Sequence, residues 1–207
     1  MSGFLERVLG AAWLDPAIYE EVEHDTTAGT QALAVVLLVG AAAALPELAH
    51  LSFGGVFAAM LTAVVAWGVW AFLTFAIGTR LLPEPQTNAD LGQLLRTLGF
   101  AAAPGMVQAL GIIRPLRPVA FAAAELWMIA AMVVAVRQAL DYTSTLRAVG
   151  VCAIGWAVQL LVTAALLAAL LPRPDAAVVK SGRKAAEPPS AGSVGVVKPS
   201  GIAPPVR

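Results

Sequence analysis

Residues 55–79 read GVFAAMLTAVVAWGVWAFLTFAIGT, and this stretch decides the fold. It holds ten Val, Leu, Ile or Phe residues between Val56 and Ile77, and no charge of either sign occurs from Leu48 to Thr79. At about −0.3 to −0.6 kcal/mol each, those residues favour insertion into a bilayer by several kcal/mol. Roughly 20 apolar residues suffice to cross as a helix, so the run is long enough. In lipid a helix is the one single-segment conformation that satisfies its own backbone.

Working outward, four more apolar segments follow the same logic. The first spans about 28–45 and ends at Pro46. The third spans about 97–113, the fourth about 118–136 and the fifth about 148–171. The expected fold is therefore all-α, a polytopic transmembrane helix bundle of about five spans over residues 28–171. Composition agrees, since 59% of the 207 residues are apolar and 13% charged. A soluble domain carries about 25% charged residues. Net charge is zero, which gives no electrostatic footprint for nucleic acid. Cys152 is the only cysteine, which excludes an intramolecular disulfide and a cysteine zinc site.

The ends differ from the middle. Residues 1–27 form an amphipathic and acidic region. Phe4, Leu5, Val8, Leu9, Ala12 and Trp13 share one face of a short helix over 2–14, which either lies in the membrane interface or packs on the bundle. Glu6 and Arg7 interrupt it, so it does not read as a secretory signal. Asp15-Pro16 is a helix start, an N-cap acid before proline at the first helical position. Glu20, Glu21, Glu23, His24 and Asp25 then read as a solvated face, and one histidine among flexible carboxylates is too little for a metal site. Residues 172–207 carry seven prolines, all three lysines and no aromatic residue, so they read as a disordered tail.

The third segment leaves the topology open. It has only 17 residues, and Pro104-Gly105 breaks it near the middle. With five spans and the N-terminus inside, Lys and Arg number five inside and eight outside. With a re-entrant third segment they number eleven and two, which suits the positive-inside rule better. An internal echo favours five. Leu95-Arg96-Thr97-Leu98-Gly99 resembles Leu146-Arg147-Ala148-Val149-Gly150, and both precede odd-numbered segments.

Three polar side chains fall at similar depth inside apolar segments: Gln108 in the third, Glu125 in the fourth and Gln159 in the fifth. An ionised acid at mid-span costs on the order of 3 kcal/mol on insertion scales. The expectation is an interhelical hydrogen-bond cluster of Gln108, Glu125 and Gln159 that glues helices together, the alternative being a proton or ion site. Trp67 and Trp70 lie in mid-segment and read as packing residues. Gly40 with Ala44, and Ala153 with Ala157, have the spacing that permits close helix approach. HExxH, P-loop, GxSxG and dinucleotide signatures are absent, so the chain reads as non-enzymatic, with no cofactor and no metal.

Three stretches carry a family likeness. They are Leu14-Asp15-Pro16-Ala17-Ile18-Tyr19-Glu20-Glu21 with Asp25; Leu98-Gly99-Phe100-Ala101-Ala102-Ala103-Pro104-Gly105; and Ala135-Val136-Arg137-Gln138-Ala139-Leu140-Asp141 followed by Ser144-Thr145-Leu146-Arg147-Ala148. On these the chain resembles bacterial members of the Yip1 family from about residue 4 to 171. The resemblance implies five helices and a cytoplasmic N-terminus in a bacterial inner membrane. Eukaryotic relatives act in vesicle trafficking, bind Rab-type GTPases and have a long cytosolic N-terminal region, which has no counterpart before residue 28 here. The expected function is a non-enzymatic membrane organiser or adaptor, with the lipid bilayer and a membrane or cytosolic protein as partners. The alternative is a small transporter or channel component that uses Glu125.

Overall fold

In the computed structural model residues 2–47 and 53–170 are described. The proline-rich tail at 172–207 lies outside the described residues. Contacts divide the chain into Met1–Val162, which holds everything treated below, and Thr163–Arg207, whose described part continues the last helix to Leu170.

All regular structure among the described residues is helical. The α-helices are α1 (Phe4–Ala12), α2 (Pro16–His24), α3 (Ala28–Ala44), α4 (Phe53–Arg80), α5 (Leu91–Ala101), α6 (Arg117–Ala139) and α7 (Thr145–Leu170). Short 3₁₀ turns cover Leu45–Glu47 and Arg114–Leu116, and a long 3₁₀ segment covers Ala103–Ile112. Four stretches are long and apolar enough to cross a membrane: Ala28–Glu47, Phe53–Arg80, Arg114–Ala139 and Thr145–Val162. Much of their outer surface is apolar and uncovered, with Phe53, Phe57, Leu61, Val65 and Phe72 exposed along α4. This is the surface of an integral membrane protein.

The expected third segment is built differently from the other four. Its α-helix starts earlier, at Leu91, and ends at Ala101. Asp90 caps it, accepting from Gln93 N at 2.9 Å, while Gln93 Oε1 accepts from Asp90 N at 2.6 Å. Proline at 104 cannot donate in an α-helical ladder, and the chain continues as 3₁₀ helix through Ile112. Eleven α residues rise about 16 Å, and ten 3₁₀ residues rise about 20 Å. The two pieces together, 21 residues, are long enough for the roughly 30 Å of a hydrocarbon core, because the element begins six residues before the apolar run at 97.

Neighbours fix the direction of this broken element. A Cβ on Gly99 would meet Ala32, one on Gly105 would meet Val39, and one on Gly111 would meet Pro46. The element therefore runs parallel to α3 from one end to the other. Gly105 also faces Met128 of α6 and Gly111 faces Phe121, so it runs antiparallel to α6. Glycine is required where backbones come this close. Gly40 likewise lets α3 approach the backbone of Met60 on α4, as its spacing suggests. Ala153 and Ala157, by contrast, are exposed.

α1 and α2 form a hairpin on the outside of α5 and α6. α1 ends in a Schellman motif, with Asp15 N bonded to Gly10 O and Leu14 N to Ala11 O. Leu14 takes the left-handed conformation there, at φ 63°. Asp15 then caps α2 by accepting from Ala17 N at 3.0 Å. The hairpin tip reaches well down α6. Trp127 Nε1 donates to Ala12 O at 2.7 Å, and Trp127 lies about 18 Å below the α6 end at Ala139. The amphipathic pattern of α1 resolves into two faces: Arg7, Val8 and Ala11 are buried, whereas Leu5, Leu9 and Trp13 form an exposed apolar stripe.

Candidate functional site: the polar cap at the hairpin end

α-Helices leave their last carbonyls without partners. At the end of the bundle where α2 finishes, side chains from other elements supply them. Arg96 of α5 reaches the carbonyls of Val22 and Glu23 near the end of α2. At the other end of the hairpin, its tip, Tyr19 Oη donates to Ala11 O at 2.8 Å near the end of α1. Tyr142 Oη lies 3.0 Å from Gly78 O and 2.8 Å from Leu82 O, at the end of α4. Arg147 donates to Pro83 O at 2.8 Å. The echoed arginines, Arg96 and Arg147, thus sit at the same end, as the internal repeat implies.

Glu84 caps the opposite kind of terminus. Its buried carboxylate accepts from Thr143 N at 2.9 Å, Thr143 Oγ1 at 2.8 Å and Ser144 N at 3.4 Å, where α7 begins. Those donors, the Thr143 amide foremost, hold the carboxyl below the ordinary glutamate value. A negative charge there also complements the helix dipole.

Arg7 locks the hairpin down. It is 1% exposed, although it stands in an amphipathic helix near the chain start. Its Nη2 lies 2.8 Å from Glu21 Oε1 and 2.7 Å from Asp25 Oδ2, and Nη1 donates to Gln31 Oε1 at 3.1 Å. Glu21 falls to about 2 through Ser2 first and then Arg7. Asp25 falls to about 2 through Thr27 first and then Arg7.

The acidic run is not one solvated face. Glu20 and His24 are exposed, but Glu23 is 4% exposed. Burial pushes its carboxyl up to about 7, with Asp141 and Glu20 adding and His24 and Arg96 opposing. A raised acid favours folding below its unfolded value of 4.5 and loses that contribution as pH rises through about 7. Glu23→Gln should therefore leave stability unchanged at pH 4 and raise it by about 2 kcal/mol at pH 8. Thermal melting in detergent at both pH values checks this.

An open cleft of about 610 Å³, lined by Arg7, Glu20, Glu21, His24 and Asp25, crosses the outer side of this cap. His24 is tied to Glu20 O through Nδ1 at 2.9 Å, which raises its pKa. Among the described residues no three His, Cys, Asp or Glu side chains come together as a metal site would need.

No family model, curated protein or solved structure matches this chain.

The intramembrane polar residues separate into a pair and a single. Gln108, buried in the long 3₁₀ segment, donates through Nε2 to Glu125 Oε1 on α6 at 3.2 Å. Glu125 itself lies on the exposed side of α6. Gln159 does not join them. It stands on α7 beside a cavity that Trp67 and Trp70 also line, and it makes no hydrogen bond among the described residues. The pair links the 3₁₀ segment to α6. Trp67 likewise fastens α4 to α5, donating through Nε1 to Leu95 O at 3.0 Å. Depth along an apolar segment singles out Gln108, Glu125 and Gln159, whereas the roles of Arg7, Glu84 and Tyr142 come from partners 14 to 64 residues away and carry no local signal.

Proposed function

We propose that this protein is a non-enzymatic membrane organiser or adaptor that works through its N-terminal hairpin. The observation that carries the reading is the placement of α1 and α2. They are fixed to one half of the bundle, with an apolar stripe facing outward and an acidic cleft beside it. A helix of this kind occupies the headgroup and acyl boundary of one leaflet, and such binding is sensitive to curvature and lipid composition. The extra volume in a single leaflet favours curved bilayer, and the rigid cap offers a fixed surface to a protein partner.

In this reading the chain crosses a bacterial inner membrane five times, with the broken α5–3₁₀ element as the third crossing. Among the loops between crossings and the N-terminal region, Arg7, Arg80, Arg96, Arg137 and Arg147 fall at the hairpin end and Arg114 and Arg117 at the other, which supports a cytoplasmic hairpin, whereas the six Lys and Arg of residues 172–207 count against it in a five-crossing chain. The likeness to the Yip1 family is part of the same proposal. Its three stretches fall at the hairpin turn, at the Pro104 break and at the junction between α6 and α7, the places where this bundle is unusual.

Vesicle sorting tests the function. Reconstituted protein should be enriched in small, highly curved vesicles over large ones, and Leu5→Lys with Leu9→Lys should abolish the enrichment. Equal distribution of the unaltered protein, or ion flux that depends on Glu125, would overturn the reading.

A further inference from the structure

Glu23 of α2 is 4% exposed, yet neither oxygen of its carboxyl has a hydrogen-bond partner among the described residues. Neither oxygen is sealed in, since both keep accessible surface. Glu23 lines a pocket of about 120 Å³ between α2 and the turn that joins α6 to α7, and the free oxygens face it. A buried carboxylate without a donor is costly. Here burial keeps the proton on the acid up to about pH 7.

The pocket carries both signs of charge. Glu20 and His24 border it from α2, Asp141 from the turn and Arg137 from α6. Arg137 donates through Nε to Tyr142 O at 3.3 Å, and its two Nη groups have no partner among the described residues. Arg96 of α5 is the other cation that acts on Glu23, but its hydrogen bonds go to the Val22 and Glu23 carbonyls. The missing complement is therefore a cationic donor for Glu23 with an anion for Arg137 close beside it. Among the described residues no three His, Cys, Asp or Glu side chains converge, which disfavours a metal ion as that cation. A quaternary ammonium is held by a cage of aromatic faces, and Tyr142 gives one face at most. A primary ammonium instead donates hydrogen bonds, which is what a bare carboxylate accepts. A guanidinium pairs in the same way with a phosphate. Arg137 stands two residues from the end of the apolar stretch Arg114–Ala139, the depth of lipid headgroups.

We propose that this pocket binds the head of an ethanolamine phospholipid, with its ammonium on Glu23 and Asp141 and its phosphate on Arg137. The pocket is separate from the apolar stripe of α1. The proposal stands whether or not the hairpin sorts protein to curved membrane.

The experiment uses the full chain in lipid-free detergent, titrated with dihexanoyl phosphatidylethanolamine at pH 8. The melting temperature should rise and saturate. The choline lipid with the same tails, whose nitrogen carries three methyl groups and no donor, should give no saturable rise. Glu23→Gln should weaken binding about tenfold or more, the worth of one charge-assisted hydrogen bond, and Arg137→Gln should weaken it similarly. The melting curves themselves establish that each variant is folded. For the unaltered chain, binding should weaken about tenfold between pH 8 and pH 6 as Glu23 takes up its proton. His24→Gln should keep that dependence and Glu23→Gln should lose it, which separates the two titrating neighbours. An equal rise with the choline lipid, or undiminished binding by Glu23→Gln, overturns the proposal. So does binding of free phosphoethanolamine as tight as that of the lipid, since the pocket then takes a soluble compound.

Discussion

Gly99→Val should be the most damaging single substitution in the bundle, lowering stability by about 3 kcal/mol. A Cβ at this position would lie 2.7 Å from Ala32 Cβ and 3.2 Å from both Cα and O of Ala32. The obstacle includes backbone, which cannot rotate aside as a side chain does. α3 and α5 would have to separate, and the burial of Leu94, Leu98 and Phe100 depends on that contact. Gly68→Val on α4 is the matched control, because nothing lies within 4 Å of a Cβ there. Melting in detergent should show a large fall for Gly99→Val and a change of at most about 0.5 kcal/mol for Gly68→Val. Equal melting temperatures would mean that α5 does not dock on α3 as described.

Arg7→Met should release the hairpin from the bundle and cost about 3 kcal/mol, the penalty for removing one partner from a buried ionic group. The arginine is enclosed, and Glu21, Asp25 and Gln31 all face it. Methionine keeps much of the volume, so the effect reads electrostatics rather than a hole. Released, the segment around Thr26 and Thr27 should become sensitive to protease while the bundle stays intact. The pH dependence follows from the depressed acids. Glu21 and Asp25 contribute fully above their unfolded values of 4.5 and 3.8, and lose that contribution as pH falls toward about 2. The difference between the two proteins should therefore narrow below about pH 4. A gap that is constant with pH would place the loss in packing instead.

Much of the architecture is legible because the membrane simplifies the physics. Long uninterrupted apolar runs such as 55–79 have one solution, and the helix α4 (Phe53–Arg80) brackets that run closely. Asp15-Pro16 and the cap at Asp90 are local signals and appear as local structure. The 3₁₀ continuation after Pro104 is different. Its length comes from six residues of α5 before the apolar run and from a larger rise per residue after Pro104, neither of which apolar periodicity encodes. Arg7 and Glu23 are buried by contacts with residues far along the chain, so their own neighbours read as solvent-facing. Gln108, Glu125 and Gln159 share a depth, but depth does not fix the direction a residue faces around its helix. Two of the three meet, and Gln159 turns to a tryptophan-lined space.

The account rests on the broken third element passing from one side of the membrane to the other. Single cysteines at Asn88 and Pro115, in a Cys152→Ala background, flank that element. Labelling intact cells with a membrane-impermeant maleimide should modify the cysteine at 115 and spare the one at 88 until the membrane is opened. Labelling of both positions from the same side would show a segment that enters and returns, and the five-crossing bundle would be wrong.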